Sequence, residues 1–150
     1  MPQSLSNLAV HLVFSTKDRR PWLRDGERGQ LHAYLIGILQ NLGCPSIETG
    51  SVTDHVHILF QLSRTKTLAA VVEEIKTSSS KWLKTLAAHY ADFHWQRGYS
   101  AFSVSASAVE RVRTYIRNQA AHHARKPFQD EVRALLRRSG LEFDERYVWD

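Results

Sequence analysis

The chain has 150 residues, enough for one domain that buries a core without disulfides. Its 43% hydrophobic and 23% charged residues indicate a globular protein and argue against a disordered one. No apolar run approaches the roughly 18 residues of a membrane span, and the N-terminus lacks the regions of a signal peptide. The single cysteine excludes an internal disulfide and a zinc site built on paired cysteines. A formal charge of +5 favours a polyanionic partner such as nucleic acid.

The hydrophobic pattern predicts seven main elements in the order β-α-β-β-α-β-α. In chain order, their bounds are 5–15 (strand), 25–42 (helix), 46–52 and 54–62 (strands), 67–88 (helix), 93–105 (strand) and 107–123 (helix). Ser107 and Glu110 fit a capping box at the start of the last of these, Pro127 ends it, and a short helical segment follows at 128–138. This order predicts an α+β fold, a ferredoxin-like split βαβ sandwich with an antiparallel sheet, helices on one face and an extra C-terminal helix.

A pair of histidines lies in the predicted strand 54–62. Side chains alternate faces along a strand, so His55 and His57 project from the same side, roughly 6.5 to 7 Å apart. Val56 and Ile58 belong to the opposite, apolar face, which we expect to pack on the core helices. Two histidines at this spacing can share one metal ion through a ring nitrogen each, although half-exposed strand histidines explain the pattern too. Asp54 either orients one of the histidines or simply begins the strand.

A tyrosine and a glutamine lie one turn apart in the predicted helix 107–123. Tyr115 and Gln119 share a face beside the apolar stripe that Val109, Val112 and Ile116 form. Alone, this pattern equally describes a boundary tyrosine whose ring covers the core while its hydroxyl stays in water. Its combination with the earlier histidine pair, in a basic chain, indicates chemistry.

Together these motifs resemble the single-tyrosine HUH transposases, the small transposase A enzymes of bacterial insertion sequences that move as single-stranded DNA. The resemblance rests on His55-Val56-His57 in a strand and Tyr115-Ile116-Arg117-Asn118-Gln119 in a later helix. It extends to HLVFSTKDRRPWL (11–23), SVTDHVHILF (51–60) and HWQRGYSAFSVS (94–105), and so covers most of the chain to about residue 123. It implies one HUH transposase domain over 1–150, with a core at about 5–125 and a tail at 126–150, in the cytoplasm of a bacterial or archaeal cell.

The resemblance also implies the chemistry and the partners. Tyr115 would cut single-stranded DNA at insertion-sequence ends, leaving a 5′-phosphotyrosine and a free 3′-OH that allow rejoining without ATP. A divalent metal, Mg²⁺ or Mn²⁺, would polarise the phosphate and fix it for in-line attack. The implied metal ligands are His55, His57 and Gln119. The implied partners are DNA with hairpin ends and a second copy of the chain in a homodimer, with no membrane and no nucleotide cofactor. For the general base, the sequence offers His122 and His123 as candidates.

Two segments have the composition of a nucleic-acid-binding surface, because basic side chains bind phosphates and aromatic rings stack on bases. The candidates are Lys17, Arg19 and Arg20 after the first strand, and Trp95, Arg97 and Tyr99 near the last strand. A solvated loop explains the first group equally well, and core packing explains at least one ring of the second. Lys76 is either part of a helix face that binds a hairpin or an ordinary solvated charge.

Two other interpretations fit part of the sequence. A domesticated or non-catalytic module of the same fold that binds single-stranded nucleic acid accounts for the charge and the aromatic residues. It does not account for the joint placement of the histidine pair and the tyrosine. A histidine-based phosphoesterase requires either H-x-H-x-H, but position 59 is Leu, or two H-x-[ST] motifs, which the histidine strand does not supply.

Overall fold

The structure is a computed structural model that describes residues 2–119 and 126–150. Its strands are β1 (Ala9–Ser15), β2 (Ser46–Ser51), β3 (His55–Gln61) and β4 (Ser100–Val104). The α-helices within the described residues are α1 (Asp25–Asn41), α2 (Leu68–Leu86), α3 (Val109–Arg117) and α4 (Phe128–Arg138). None of these helices is long and apolar enough to cross a membrane.

The strands form one sheet in the order β2-β3-β1-β4, and each neighbouring pair is antiparallel. With α1 following β1 and α2 following β3, this is the ferredoxin-like split βαβ arrangement that the sequence predicts. The histidine strand β3 is central, as expected. Its register on β1 pairs His57 with Val13 and His55 with Ser15.

One face of the sheet is covered by α1 and α2. The stripe predicted for α1 is buried at Leu31, Leu35 and Leu39, and α2 contributes Val72 and Ile75. The strand residues of this core alternate along the chain, as a period of two requires. They are Leu12, Phe14, Val56, Ile58 and Phe60. The apolar face predicted for β3 therefore packs on the two core helices.

The start of α3 differs from the prediction. Ser107 and Glu110 do not form a capping box, because α3 has no side-chain cap. The Ser107 hydroxyl pairs instead with the Ser105 hydroxyl at 3.2 Å, and Glu110 pairs with an arginine on its own helix. A short 3-10 turn at Ala106–Ala108 leads into the helix, and the Ala108 N–H donates to the Ser105 carbonyl oxygen at 2.9 Å.

The opposite face of the sheet is covered by α3 and α4. Ile116 of α3 packs against Ala9 and Leu59. The contacts of α4 with this face join Phe128, Val132 and Leu136 to Val13 and Phe102. The segment 126–150, expected from the sequence to be a tail, thus carries a helix that folds back over the histidine face. His55 and His57 point away from the core that α1 and α2 cover, yet they are buried.

Candidate metal and nucleophile site

The two strand histidines lie side by side beneath α4. Both side chains are fully buried, and their ring centroids are 5.3 Å apart. The His55 ring also stacks on Phe128 of α4, with 4.3 Å between centroids. These contacts exclude the alternative of half-exposed strand histidines without tertiary partners.

Each histidine is oriented by a second side chain at its Nδ1 atom. His55 Nδ1 lies 2.6 Å from Asp54 Oδ1, and His57 Nδ1 lies 2.8 Å from Nε2 of His11 on β1. Such outer partners fix the ring and turn the Nε2 atoms towards the other side chains of the cluster. Asp54 therefore orients a candidate ligand besides preceding the strand. Burial and repulsion from His57 lower the pKa of His11 to about 3, so its ring is neutral near pH 7.

His11 is a site residue that the sequence analysis missed. The sequence feature that could have indicated this role is a histidine in an otherwise apolar strand, two residues before Val13 and therefore on the same face of the strand. The register of β1 on β3 decides that this position lies next to His57, and that register is a long-range property.

Gln119 reaches the histidines from the chain beyond α3. The helix ends at Arg117, and Asn118 separates Gln119 from it, so the predicted helix 107–123 is interrupted here. Gln119 is buried with Oε1 3.4 Å from His55 Nε2, and its amide nitrogen donates to the Tyr115 carbonyl at 3.3 Å. The structure therefore brings this predicted ligand to the histidine pair.

A carboxylate that the sequence analysis did not single out completes the cluster. Glu131 of α4 is 2% exposed, and its Oε1 lies 2.8 Å from His57 Nε2 and 3.8 Å from His55 Nε2. One ligand atom from each of these three residues lies within 4.8 Å of the other two, so they could hold one metal ion. The available signal was an acidic residue on the apolar stripe of α4, between Phe128 and Val132.

Tyr115 lies against the histidines of its own chain. Its ring is edge-on to His57 at 5.6 Å and to His11 at 6.1 Å between centroids. Burial, followed by a hydrogen bond to Glu131, raises the pKa of Tyr115 above its ordinary value, and a hydrogen bond with Gln119 acts in the opposite direction. The hydroxyl is therefore protonated near neutral pH. Both candidate bases, at positions 122 and 123, lie outside the described residues.

The basic loop after β1 is close to this cluster. Asp18 and Arg19 have φ angles of 58° and 56°, a left-handed conformation that is uncommon outside glycine. Both terminal nitrogens of Arg19 lie 3.2 Å from the side-chain amide group of Gln129 on α4. Lys17 and Arg20 are exposed. Arg19 thus contacts α4, while the side chains of Lys17 and Arg20 are accessible to solvent.

The residues of the second predicted DNA-binding segment lie partly in the core and partly on the surface. Trp95 is 7% exposed, its indole N–H donates to Ser79 Oγ at 2.9 Å, and its ring is edge-on to Phe14. Trp95 is a core residue, which corrects the prediction that it stacks on bases. Arg97 is exposed and Tyr99 is 39% exposed, so these two side chains stay accessible.

Lys76 holds this segment rather than projecting into solvent. Its ammonium group donates to the carbonyl oxygens of Gln96, Arg97 and Gly98 at 2.8, 3.3 and 2.5 Å, and lies 5.7 Å from the centre of the Tyr99 ring. Burial lowers the pKa of Lys76 to about 8. A cleft of about 470 Å³ runs beside the segment, lined in part by Lys17, Arg97 and Trp149.

The chain is similar in sequence to a known protein family. A family model described as "Transposase IS200 like" matches residues 4–119. The chain belongs to this family. A search of the curated proteins gives no match. The part of this IS200-like transposase that the family model matches contains Tyr115, both strand histidines and Gln119. Helix α4, with Glu131, lies beyond it.

Solved structures are similar to this transposase in fold. The crystal structure of a transposase candidate from Deinococcus radiodurans R1 is 23% identical, with a TM-score of 0.62, and the match covers 79% of this chain and 98% of that chain. A REP-associated tyrosine transposase, solved bound to a REP hairpin, is 13% identical, with a TM-score of 0.61, and the match covers 82% of this chain and 72% of that chain. These likenesses support the α+β architecture.

Proposed function

We propose that this IS200-like transposase cuts and rejoins single-stranded DNA at insertion-sequence ends with Tyr115 as the nucleophile. The observation that carries the proposal is the position of Tyr115, edge-on to His57 with 5.6 Å between ring centroids. Its hydroxyl bonds to Glu131 and Gln119 of the same cluster. A tyrosine that only covered the core would not need its hydroxyl among four buried polar side chains.

The cleaving step is a transesterification. The Tyr115 oxygen forms a bond to the phosphorus, and the bond from phosphorus to the 3′ oxygen breaks. The products are a 5′-phosphotyrosine and a strand ending in a 3′-OH, which receives the proton that the tyrosine loses, directly or through water. In rejoining, a 3′-OH attacks the same phosphorus and releases the tyrosine, so the energy of the phosphodiester is kept and ATP is not required.

The donor set fits a divalent metal ion. His55 and His57 turn their Nε2 atoms towards the cluster, since Asp54 and His11 hold the Nδ1 atoms. Gln119 adds an amide oxygen 3.4 Å from His55 Nε2. Imidazole and oxygen donors together suit Mn²⁺, and Mg²⁺ accepts the oxygens. The bound ion would supply Lewis-acid stabilisation of the reacting phosphate.

The proposal also includes contacts between exposed basic or aromatic side chains and the DNA strand. Lys17 and Arg20 are exposed on the loop after β1, and Arg97 with Tyr99 supplies a cation and a half-exposed ring for a single strand. Tyr115 and the histidines of one chain lie together, so cutting does not require a tyrosine from another copy. A homodimer would bring two such sites together for strand exchange.

The test is covalent capture of DNA by the Tyr115→Phe variant. The substitution removes the nucleophilic oxygen and keeps the ring, so we expect no covalent adduct with 3′-labelled single-stranded DNA and hairpin binding within about twofold of the unsubstituted protein. Tyr147→Phe is the matched control, because Tyr147 is 64% exposed and lies outside the cluster. Adducts that persist in Tyr115→Phe would show that another residue is the nucleophile.

A further inference from the structure

Helix α4 lies beyond the part of the chain that the family model matches, yet it brings a carboxylate to the histidine pair. We propose that Glu131 is a ligand of the metal ion. The centre of this chain would then combine two imidazoles, one amide oxygen and one carboxylate, supplied by β3, the chain beyond α3, and α4. This inference rests on the proposed function and specifies the donor set of the same site.

The distances between the donor atoms match a shared ion. Donors bound at about 2.1 Å lie about 3.0 Å apart when adjacent and about 4.2 Å apart when opposite around an octahedral ion. Glu131 Oε1 lies 2.8 Å from His57 Nε2 and 3.8 Å from His55 Nε2, while Gln119 Oε1 lies 3.4 Å from His55 Nε2. The first separation is slightly shorter than that of adjacent donors and the other two lie between the two values, so the atoms are close enough to one another to surround one ion after small shifts.

Packing fixes the Glu131 carboxylate in this place. Phe128 and Val132, on the same stripe of α4, pack in the cluster with Val13. Phe128 also stacks on the His55 ring, with 4.3 Å between centroids. The backbone that carries Glu131 is therefore held against the histidine strand by apolar contacts, independently of the polar ones. A donor held in this way loses little side-chain entropy when an ion binds.

Charge favours a cation at this point. Glu131 is 2% exposed and brings an anionic oxygen to within 2.8 Å of His57 Nε2, so its charge would stabilise a cation bound between these groups. Neutral donors alone would leave the ion with its full double charge, whereas one carboxylate reduces the net charge of the centre to about +1. An anionic oxygen donor also improves the fit to Mg²⁺, which prefers oxygen ligands to imidazole, and adds an oxygen ligand for Mn²⁺. The expected consequence is tighter binding of these ions.

The experiment is calorimetric titration of the full chain with Mn²⁺. Glu131→Gln keeps the size of the side chain and removes its charge, so we expect the affinity to fall by at least about tenfold, since even outer partners of metal ligands are worth about 10- to 100-fold. Asp130→Asn is the matched control on the same helix, because Asp130 is half-exposed and pairs with Arg133. Its Mn²⁺ affinity should stay within about twofold. A rise of the melting temperature with Mn²⁺ should be larger in the unsubstituted protein than in Glu131→Gln.

The same titration separates this inference from the proposed function. Wild-type or higher affinity in Glu131→Gln, together with lost affinity in His57→Ala, would overturn the assignment of Glu131 alone. Unchanged affinity in both variants would overturn the metal centre itself. If Glu131→Gln fails to fold, Glu131→Asp retains the charge on a shorter side chain and should bind Mn²⁺ with reduced affinity. Wild-type affinity in Glu131→Asp would contradict a direct ligand at this distance.

Discussion

A glycine on β2 determines how closely the tyrosine helix approaches the sheet. A Cβ atom at Gly50 would lie 2.9 Å from Cγ2 and 3.1 Å from the carbonyl oxygen of Ile116 on α3. Ile116 is buried against Ala9 and Leu59, so its side chain has little room to turn away. Restoring ordinary contact at 3.4 Å requires α3 to move by about 0.5 Å. We therefore predict that Gly50→Ala displaces the helix that carries Tyr115.

The size of the effect follows from this displacement. Overpacking of this kind costs about 1 to 3 kcal/mol of unfolding free energy. In a chain of this length each kcal/mol lowers the melting temperature by about 2 to 4 °C, so we expect a fall of about 2 to 12 °C. A misplacement of about 1 Å can lower a reaction rate about 100-fold. A displacement of about 0.5 Å should therefore lower the rate of adduct formation about tenfold.

Thermal denaturation and single-turnover cleavage of single-stranded DNA measure the two effects. Gly37→Ala is the control, because a Cβ at Gly37, within α1, would meet no atom within 4 Å. That substitution should raise the unfolding free energy by about 0.5 to 1 kcal/mol and leave cleavage unchanged. If Gly50→Ala melts and cleaves like the unsubstituted protein, the close packing of α3 on β2 of its own chain is refuted.

Two further predictions address the site and the substrate. His11→Phe keeps a buried ring but removes the partner of His57 Nδ1, so Mn²⁺ affinity measured by calorimetry should fall by about 10- to 100-fold; an unchanged value would mean that His57 is oriented by its packing alone. A single strand able to form a hairpin should be cut and a continuous duplex of the same sequence should not, because unpairing costs about 1.4 kcal/mol per step. Equal cleavage of both forms in a gel assay would indicate a duplex nuclease.

Local periodicity explains why much of the site could be predicted. The period of two along β3 places His55 and His57 on one face and Val56 on the other, whatever the rest of the chain does. The spacing of Tyr115 and Gln119 similarly places them near each other, and it survives the break at Asn118. These rules act over a few residues, so they can be applied to the sequence before the fold is known.

Long-range packing explains what the sequence analysis missed. No local pattern states on which face of the sheet the segment 126–150 folds, so neither the burial of the histidine face nor the approach of Glu131 to the histidines could be predicted. The aromatic side chain of Trp95 fits a core and a stacking surface equally well until its partner Ser79 is known. Likewise, His11 becomes a site residue only through the register of β1 on β3.

The proposed reacting groups of this transposase are positioned by residues that would touch neither DNA nor metal. Asp54 and His11 hold the two imidazoles, Phe128 fixes α4 against the histidine strand, and Gly50 allows α3 to lie close to β2. Because these contacts are made within the chain itself, they hold the proposed donors and Tyr115 together, which would leave little reorganisation for the proposed reaction. Substituting the residues that position the site therefore tests the proposed reaction, as substituting the proposed reacting residues does. Substituting the positioning residues should lower the cleavage rate even though every reacting atom is retained.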